Sequence, residues 1–124
     1  MPSIPLISIV DDDDAVRRSL ENLIRSAGLR AQGFSSAEAF LRSNQLGETA
    51  CLIIDVCMPG MSGLELERQI SRANHHRPII FITAHKDDDR RTKALEAGAV
   101  AFLYKPFYEG ELLNAIESAL RDPR

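Results

Sequence analysis

Short apolar runs alternate with stretches of helical periodicity along the whole of this 124-residue chain. The apolar runs, each predicted to form a strand, are Ile4–Val10, Leu29–Phe34, Leu52–Ile54, Pro78–Ile82 and Val100–Tyr104. Strands that are separated by helices need crossover connections, which are right-handed and produce a parallel sheet with helices on both faces. The length suits one compact unit, so we expect a single domain over residues 1–124.

Five helices are predicted between and after these strands. Apolar residues recur at helical spacing within 16–27, 37–41, 63–73, 94–97 and 112–120. Ser35 with Glu38, and Ser62 with Glu65, have the spacing of a capping box at a helix start. Gly28 is placed where glycine is favoured after a helix end. The pattern therefore predicts a doubly wound α/β fold with a five-stranded parallel sheet.

Polar residues stand where the predicted strands end. Asp11 and Asp12 follow the first strand, Asp55 ends the third, Thr83 the fourth, and Lys105 follows the fifth. In a parallel sheet all of these ends meet at one edge, where the ligands of such folds bind. We therefore expect three carboxylates, one hydroxyl and one ammonium to face a common crevice.

This set of groups indicates phosphoryl chemistry. Clustered carboxylates repel one another unless a cation lies among them. Magnesium is the best candidate, because it is a hard ion held by few carboxylates and by phosphate oxygens. Lys105 and Thr83 can bind phosphoryl oxygens, and phosphoryl transfer depends mainly on positioning and charge neutralisation. Asp55, flanked by the other groups, is the predicted acceptor, which would form an aspartyl phosphate.

Four motifs occur in order at these strand ends. They are Val10-Asp-Asp12, Ile54-Asp-Val-Cys-Met-Pro-Gly-Met-Ser-Gly63, Ile82-Thr-Ala-His85 and Lys105-Pro-Phe107. Together they resemble the receiver domain of two-component response regulators, and the resemblance covers Ile4–Leu120. The sequence Ser36-Ala-Glu-Ala-Phe-Leu41 is similar to receivers of the FixJ kind. The resemblance implies a flavodoxin-like sheet with strand order 2-1-3-4-5.

The resemblance also implies the roles of the acidic residues. Asp55 would accept a phosphoryl group from a phosphohistidine of a sensor histidine kinase. Magnesium would be bound directly by Asp12, Asp55 and the backbone carbonyl of Cys57, whereas Asp11 would act mostly through a coordinated water. Such a domain promotes only its own phosphorylation and dephosphorylation, so it is not expected to be an enzyme for other substrates.

Further roles follow from the same resemblance. Thr83 and Lys105 would hold phosphoryl oxygens, and Thr83 with Phe102 would form the switch that reports phosphorylation. The peptide bond before Pro106 would be cis. Phosphorylation would promote a homodimer through helix 4, strand 5 and helix 5. Joined to a DNA-binding domain, the receiver would control transcription without binding nucleic acid itself.

The chain departs from the family pattern in the loop after Asp55 and in the acidic run. Gly60 stands where many relatives have aspartate, and we expect this to loosen the loop. Cys57 and His85 occupy the positions that line the approach of water, and they bear on how long a phosphoryl group survives. Asp13 and Asp14 lengthen the acidic run, where they would add negative potential or charge at a helix N-terminus.

Composition excludes several other classes of function. A net charge of −3 offers no basic footprint for nucleic acid. No apolar run reaches the roughly 18 residues that a membrane span requires. Met1–Ile4 lacks the basic region of a signal peptide, and Cys51 and Cys57 flank an extended segment that holds them too far apart to bond. A cytoplasmic protein with reduced thiols is expected.

Three alternative functions deserve comparison. A phosphatase of the haloacid dehalogenase type needs a second aspartate two residues after its nucleophile, where this chain has Cys57. A dinucleotide-binding module needs a glycine-rich turn after the first strand, where four acids stand instead. A receiver that acts only as a scaffold, without being phosphorylated, is disfavoured because the set of site residues is intact.

Some polar segments are expected to have no site function. Asp87–Asp89 fits a solvated helix start, and His75 and His76 fit a surface loop. Asp122–Arg124 is as typical of the start of a linker as of a natural end.

Overall fold

The structure, a computed structural model, describes residues 4–73 and 76–121 and contains a five-stranded parallel sheet in the order β2-β1-β3-β4-β5. The strands are β1 (Leu6–Val10), β2 (Arg30–Phe34), β3 (Thr49–Asp55), β4 (Ile79–Thr83) and β5 (Ala101–Tyr104). The helices are α1 (Asp14–Ser26), α2 (Ala37–Arg42), α3 (Gly63–Arg72), α4 (Asp88–Glu96) and α5 (Glu109–Arg121). The predicted fold and strand order are confirmed. The interpretations of His75 and of Asp122–Arg124 lie outside the described residues.

The sheet separates two hydrophobic cores. Alternate residues of the central strand β3 point to opposite faces, so Leu52 and Ile54 join one core while Cys51 and Ile53 join the other. The first core lies under α2, α3 and α4, and the second lies under α1 and α5. Burial on both faces explains why the strands are continuous apolar runs and not alternating ones.

Helix starts follow the predicted capping chemistry with one correction. The Ser62 hydroxyl accepts a hydrogen bond from the backbone N–H of Glu65 at 3.2 Å, as the capping-box spacing predicts. At α2 the cap is Ser36 and not Ser35, because Ser36 has the extended backbone and its hydroxyl accepts from the N–H of Ala39 at 3.0 Å. Glu38 therefore falls one position too early to close a capping box.

The fourth helix is the most polar of the five. Asp87 caps α4 by accepting from the backbone N–H of Arg90 at 3.1 Å, which confirms the helix-start interpretation of Asp87–Asp89. Ala94 is its one buried residue, so its side chain faces the core and not a surface open to association. Leu95 is exposed and remains available for association.

Candidate functional site

The carboxyl ends of the strands bring the predicted polar groups together. Asp55 is the last residue of β3 and Thr83 the last residue of β4, while Asp11 and Lys105 directly follow β1 and β5. Because all neighbouring strands pair in parallel, these ends lie at the same edge of the sheet. The convergence that the sequence predicted is therefore present in the fold.

Lys105 joins two buried carboxylates. Its Nζ donates hydrogen bonds to Asp11 Oδ2 at 2.9 Å and to Asp55 Oδ2 at 3.3 Å. Asp11 is fully buried and Asp55 is only 6% exposed. These bonds are charge-assisted and lie where water is largely excluded, so the ammonium holds the ends of β1, β3 and β5 in a defined arrangement.

Burial and neighbouring charges shift the pKa values of this pair. Burial raises the pKa of Asp55, and the charge of Asp11 raises it further, although Lys105 and the Cys57 N–H oppose the change. Burial alone would lower the pKa of Lys105, but the hydrogen bond and charge of Asp11, together with Asp55, raise it above its ordinary value. Lys105 therefore stays cationic. Its positive charge only partly offsets the effects of burial and of Asp11 on the Asp55 carboxylate.

The carboxylates could hold a cation. Oxygen atoms of Asp11, Asp12 and Asp55 lie within 4.8 Å of one another, and Asp12 is the exposed member. Carboxylate oxygens are the ligands that magnesium prefers, and one ammonium cannot balance three carboxylates. Both oxygens of Asp11 are already engaged, since Oδ2 binds Lys105 and Oδ1 accepts from the N–H of Asp13 at 2.9 Å. This occupancy suits an indirect role for Asp11.

The rest of the acidic run belongs to the first helix. Asp13 caps α1, because its Oδ1 accepts from the backbone N–H groups of Ala15 at 2.9 Å and Val16 at 3.1 Å. Asp14 forms an ion pair with Arg17 in the first turn. Of the two expected roles for Asp13 and Asp14, the structure shows that of helix N-terminal charge.

The loop after β3 is anchored from the second helix. Glu38 Oε2 accepts a hydrogen bond from the backbone N–H of Met61 at 3.2 Å. Gly60 has φ +74°, and a Cβ at this position would lie 2.7 Å from Glu38 Oε2. Hydrogen bonds from the N–H groups of Glu38 itself and of Met61 lower the pKa of the Glu38 carboxyl. The glycine therefore admits the carboxylate that anchors this loop, and the expected loosening at Gly60 stays a prediction.

The two residues predicted to form the switch are both buried. The Thr83 hydroxyl accepts from the N–H of His85 at 3.1 Å and donates to the carbonyl of the same residue at 3.3 Å. Phe102 is 8% exposed, and its ring lies 6.2 Å from that of Phe81 and 5.5 Å from that of Tyr104, measured between centroids. The Phe102 ring thus already points inward in this structure.

No local pattern in the sequence indicates the contact between α4 and the loop after β3. Arg90 Nη1 lies against Cys57 Sγ, and the backbone N–H of Cys57 donates to Asp55 Oδ1 at 3.1 Å. Cys57 and Cys51 are both free thiols, as expected. Complete burial raises the pKa of Cys51 to about 12, whereas Cys57 is only partly buried.

Beside the site the chain turns sharply into its last helix. The peptide bond between Lys105 and Pro106 is cis. An open groove adjoins Lys105 and is lined on one side by α1 residues, including Val16 and Leu23, and on the other by Pro106 and Phe107. Apolar side chains make up much of its lining, and the exposed Tyr108 lies in the sequence between two lining residues, Phe107 and Glu109.

A five-stranded parallel sheet in this order, with clustered carboxylates and a bridging lysine at its carboxyl edge, defines the class of two-component signalling receivers. The model of the response regulator receiver domain matches residues 7–117. The chain belongs to this family, whose members are signalling domains that interact with sensor histidine kinases.

Individual proteins agree with this assignment. The response regulator protein TmoT of Ectopseudomonas mendocina is 51% identical over 118 residues, which cover 94% of this chain and 53% of that protein. The structure of response regulator StyR matches with a TM-score of 0.89 and 45% identity, covering 96% of this chain and 60% of that one. The crystal structure of FixJ-N matches with a TM-score of 0.88 and 36% identity, covering 100% and 98%. The resemblance to receivers of the FixJ kind is confirmed.

Two further facts bear on the whole protein. The chain spans about half the length of the curated relatives that it matches. Within residues 4–73 and 76–121, every helix is too short or too polar to cross a lipid bilayer.

Proposed function

We propose that Asp55 accepts a phosphoryl group from a phosphohistidine of a sensor histidine kinase. The observation that carries the proposal is the lysine bridge, in which Lys105 holds Asp55 and Asp11 together at the strand ends. A cation that is already bonded to the acceptor carboxylate can transfer its hydrogen bond to an incoming phosphoryl oxygen. The site therefore provides positioning and charge neutralisation, the two requirements of phosphoryl transfer.

In this reaction a carboxylate oxygen of Asp55 bonds to phosphorus while the bond from phosphorus to the histidine nitrogen breaks. The nitrogen keeps the electron pair, and the negative phosphoryl oxygens come to lie beside Lys105. The Thr83 hydroxyl exchanges its bonds with the backbone of His85 for a bond to a phosphoryl oxygen. Asp12, Asp55 and the Cys57 carbonyl would hold magnesium, with Asp11 as an outer partner, and the ion would neutralise charge on the transferred group.

The groove beside Lys105 gives the kinase a place to dock. It lies next to the lysine that contacts the acceptor carboxylate, and α1 offers Val16 and Leu23 as apolar contacts. A helix that presents its phosphohistidine at the end of this groove would bring the phosphorus close to Asp55. Tyr108, which is 82% exposed, would add an aromatic contact at the edge.

The output is a changed surface. A phosphoryl group can move a distant face only by favouring one of two existing arrangements. Movement of the Thr83 hydroxyl, together with the position of the Phe102 ring, would select the arrangement of α4. The face formed by α4, β5 and α5, with Leu95 exposed on it, would then form a symmetric homodimer.

The proposed biological role is control of transcription in the cytoplasm. Residues 1–124 would act as one receiver domain joined to a DNA-binding domain, because the matched relatives are about twice as long and include the transcriptional regulatory protein FixJ. The receiver itself would contact its kinase and its own copy, and it would catalyse only its own phosphorylation and dephosphorylation.

Phosphorylation by acetyl phosphate with magnesium tests the acceptor. Intact mass should rise by one phosphoryl group in the wild type and in Asp89→Asn, an exposed aspartate on α4, but not in Asp55→Asn. An equal gain in Asp55→Asn would refute the assignment.

Sedimentation tests the output. Phosphorylated wild type should become a dimer, whereas Thr83→Ala should accept the phosphoryl group and dimerise poorly. A phosphorylated wild type that remains monomeric up to roughly millimolar concentration, where weak association is detectable, would exclude the dimer.

A further inference from the structure

Arg90 reaches from the fourth helix to the rim of the acceptor site. Its Nη1 lies against Cys57 Sγ, across 33 residues of sequence. Its Nε lies 3.5 Å from Asp87 Oδ2, which belongs to the residue that caps α4. Cys57 in turn donates its N–H to Asp55 Oδ1 at 3.1 Å. A continuous series of contacts therefore joins the first turn of α4 to the proposed phosphoacceptor.

A guanidinium at this rim suits the charge of the site better than it suits its thiol partner. A thiol sulfur is a weak acceptor, whereas a guanidinium is best satisfied by carboxylates or phosphates. The nearby group of Asp11, Asp12 and Asp55 carries three carboxylates against the single ammonium of Lys105. Arg17, whose Nη1 donates to the carbonyl of Asp11 at 2.8 Å, adds a cation beside Asp11, and Arg90 adds one beside Cys57.

The exposed fractions of Asp55, Cys57 and Arg90 indicate where Arg90 lies relative to the acceptor and to solvent. Asp55 is 6% exposed, Cys57 is partly buried, and the Arg90 side chain is 46% exposed. Exposure thus increases from the acceptor through Cys57 to Arg90, so this series of contacts runs from the buried site toward the surface. Cys57 is the intermediate member of this series, because its N–H is bonded to Asp55 and its sulfur is in contact with Arg90.

We propose that Arg90 is a positioning residue that acts through Cys57: it covers the solvent side of the acceptor site and prolongs the life of the phosphoryl group on Asp55. This inference rests on the proposed function. Loss of the group requires that a water oxygen bond to phosphorus while the bond to the Asp55 oxygen breaks. Asp55 leaves as a carboxylate with the electron pair, and the protons of the water pass to the released phosphate and to solvent. A side chain that restricts the approach of water slows this step.

The same contacts couple the position of the Arg90 guanidinium to that of α4. Asp87 both caps α4 and pairs with Arg90, so the guanidinium and the first turn of the helix move together. The helix buries only Ala94 and is weakly held in the core. A displacement of α4 would therefore open the route of water to Asp55.

The half-life of the phosphorylated protein tests this inference. Arg90→Ala should shorten it by about threefold or more, the size expected for loss of one exposed charged contact. Arg91→Ala is the matched control, because it removes the same charge from the next exposed position of α4 and should leave the half-life close to that of the wild type. In a Cys57→Ala background the effect of Arg90→Ala should shrink, as expected for residues that act through each other.

Thiol alkylation supplies a second measurement that needs neither magnesium nor a phosphodonor. Cys51 is fully buried, so Cys57 is the thiol that reacts in the native protein. If Arg90 covers its sulfur, iodoacetamide should react faster with Arg90→Ala than with the wild type or Arg91→Ala. Equal unfolding midpoints for the two alanine variants would show that the difference is local.

The outcomes separate the two proposals. A wild type that gains no phosphoryl group would overturn the proposed function and this inference with it. A wild type that is phosphorylated, with a half-life that is unchanged or longer in Arg90→Ala, would overturn the role of Arg90 alone. Equal alkylation rates in all three proteins would show that Arg90 does not shield the sulfur of Cys57.

Discussion

Gly63→Ala should destabilise the protein because the first residue of α3 touches the end of β3. Gly63 donates its N–H to the carbonyl of Val56 at 3.1 Å. A Cβ on Gly63 would lie 2.6 Å from the backbone oxygen of Asp55 and 2.8 Å from Cγ2 of Ile54. Both distances are shorter than van der Waals contact, so the helix or the strand end must move.

The expected cost follows from what the methyl group meets. The opposing atoms belong to a buried strand, so the strain cannot be relieved by rotation of a flexible side chain. Overpacking of this kind costs about 1–3 kcal/mol, and two simultaneous clashes place the cost near the upper end, at about 3 kcal/mol. Urea unfolding of a small domain has a slope of about 2 kcal/mol per molar, so the midpoint should fall by about 1.5 M.

Gly110→Ala makes the same chemical change where there is space. No atom lies within 4 Å of a Cβ on Gly110, which is in the first turn of α5. Alanine favours a helix over glycine by up to about 1 kcal/mol, so this variant should be slightly more stable than the wild type. A urea midpoint for Gly63→Ala at or above that of the wild type would refute the packing argument. Slower phosphorylation of Gly63→Ala is also expected, because the clash displaces the carbonyl of Asp55.

Three other predictions concern the site and its neighbours. The Tyr104 hydroxyl is buried without a hydrogen-bond partner among the described residues, so Tyr104→Phe should leave the thermal midpoint unchanged or raise it, and a large fall would contradict this. Since the pKa of Asp55 is raised above its ordinary value of 3.8, the folded state loses stability as pH rises from about that value through the folded-state pKa. The free energy of unfolding of Asp55→Asn, measured with urea, should therefore rise relative to that of the wild type between acid and neutral pH. A difference between the two proteins that stays constant over this range would contradict the raised pKa of Asp55. Calorimetric titration with magnesium should show a larger loss of affinity in Asp12→Ala than in Asp14→Ala, which removes an ion pair of α1, and the reverse ranking would exclude Asp12 as a ligand.

The sequence alone determined the succession of strands and helices and the edge at which the polar groups meet. Hydrophobic periodicity reflects neighbours along the chain, so it was readable for every strand and helix. Glycine at Gly28 marked a helix end that the structure shows with positive φ. Asp11, Asp55 and Lys105 converge because parallel strands place equivalent ends together, a rule that needs no coordinates.

Other features were decided by tertiary structure, because they join residues that are distant in sequence. Glu38 lies 23 residues before Met61, and Cys57 lies 33 residues before Arg90, so neither contact leaves a local pattern. Long side chains have many rotamers, and only the packed surroundings select the one that reaches a given partner. Periodicity is local and survives without the fold, whereas a contact between distant side chains exists only once the backbone has brought them together.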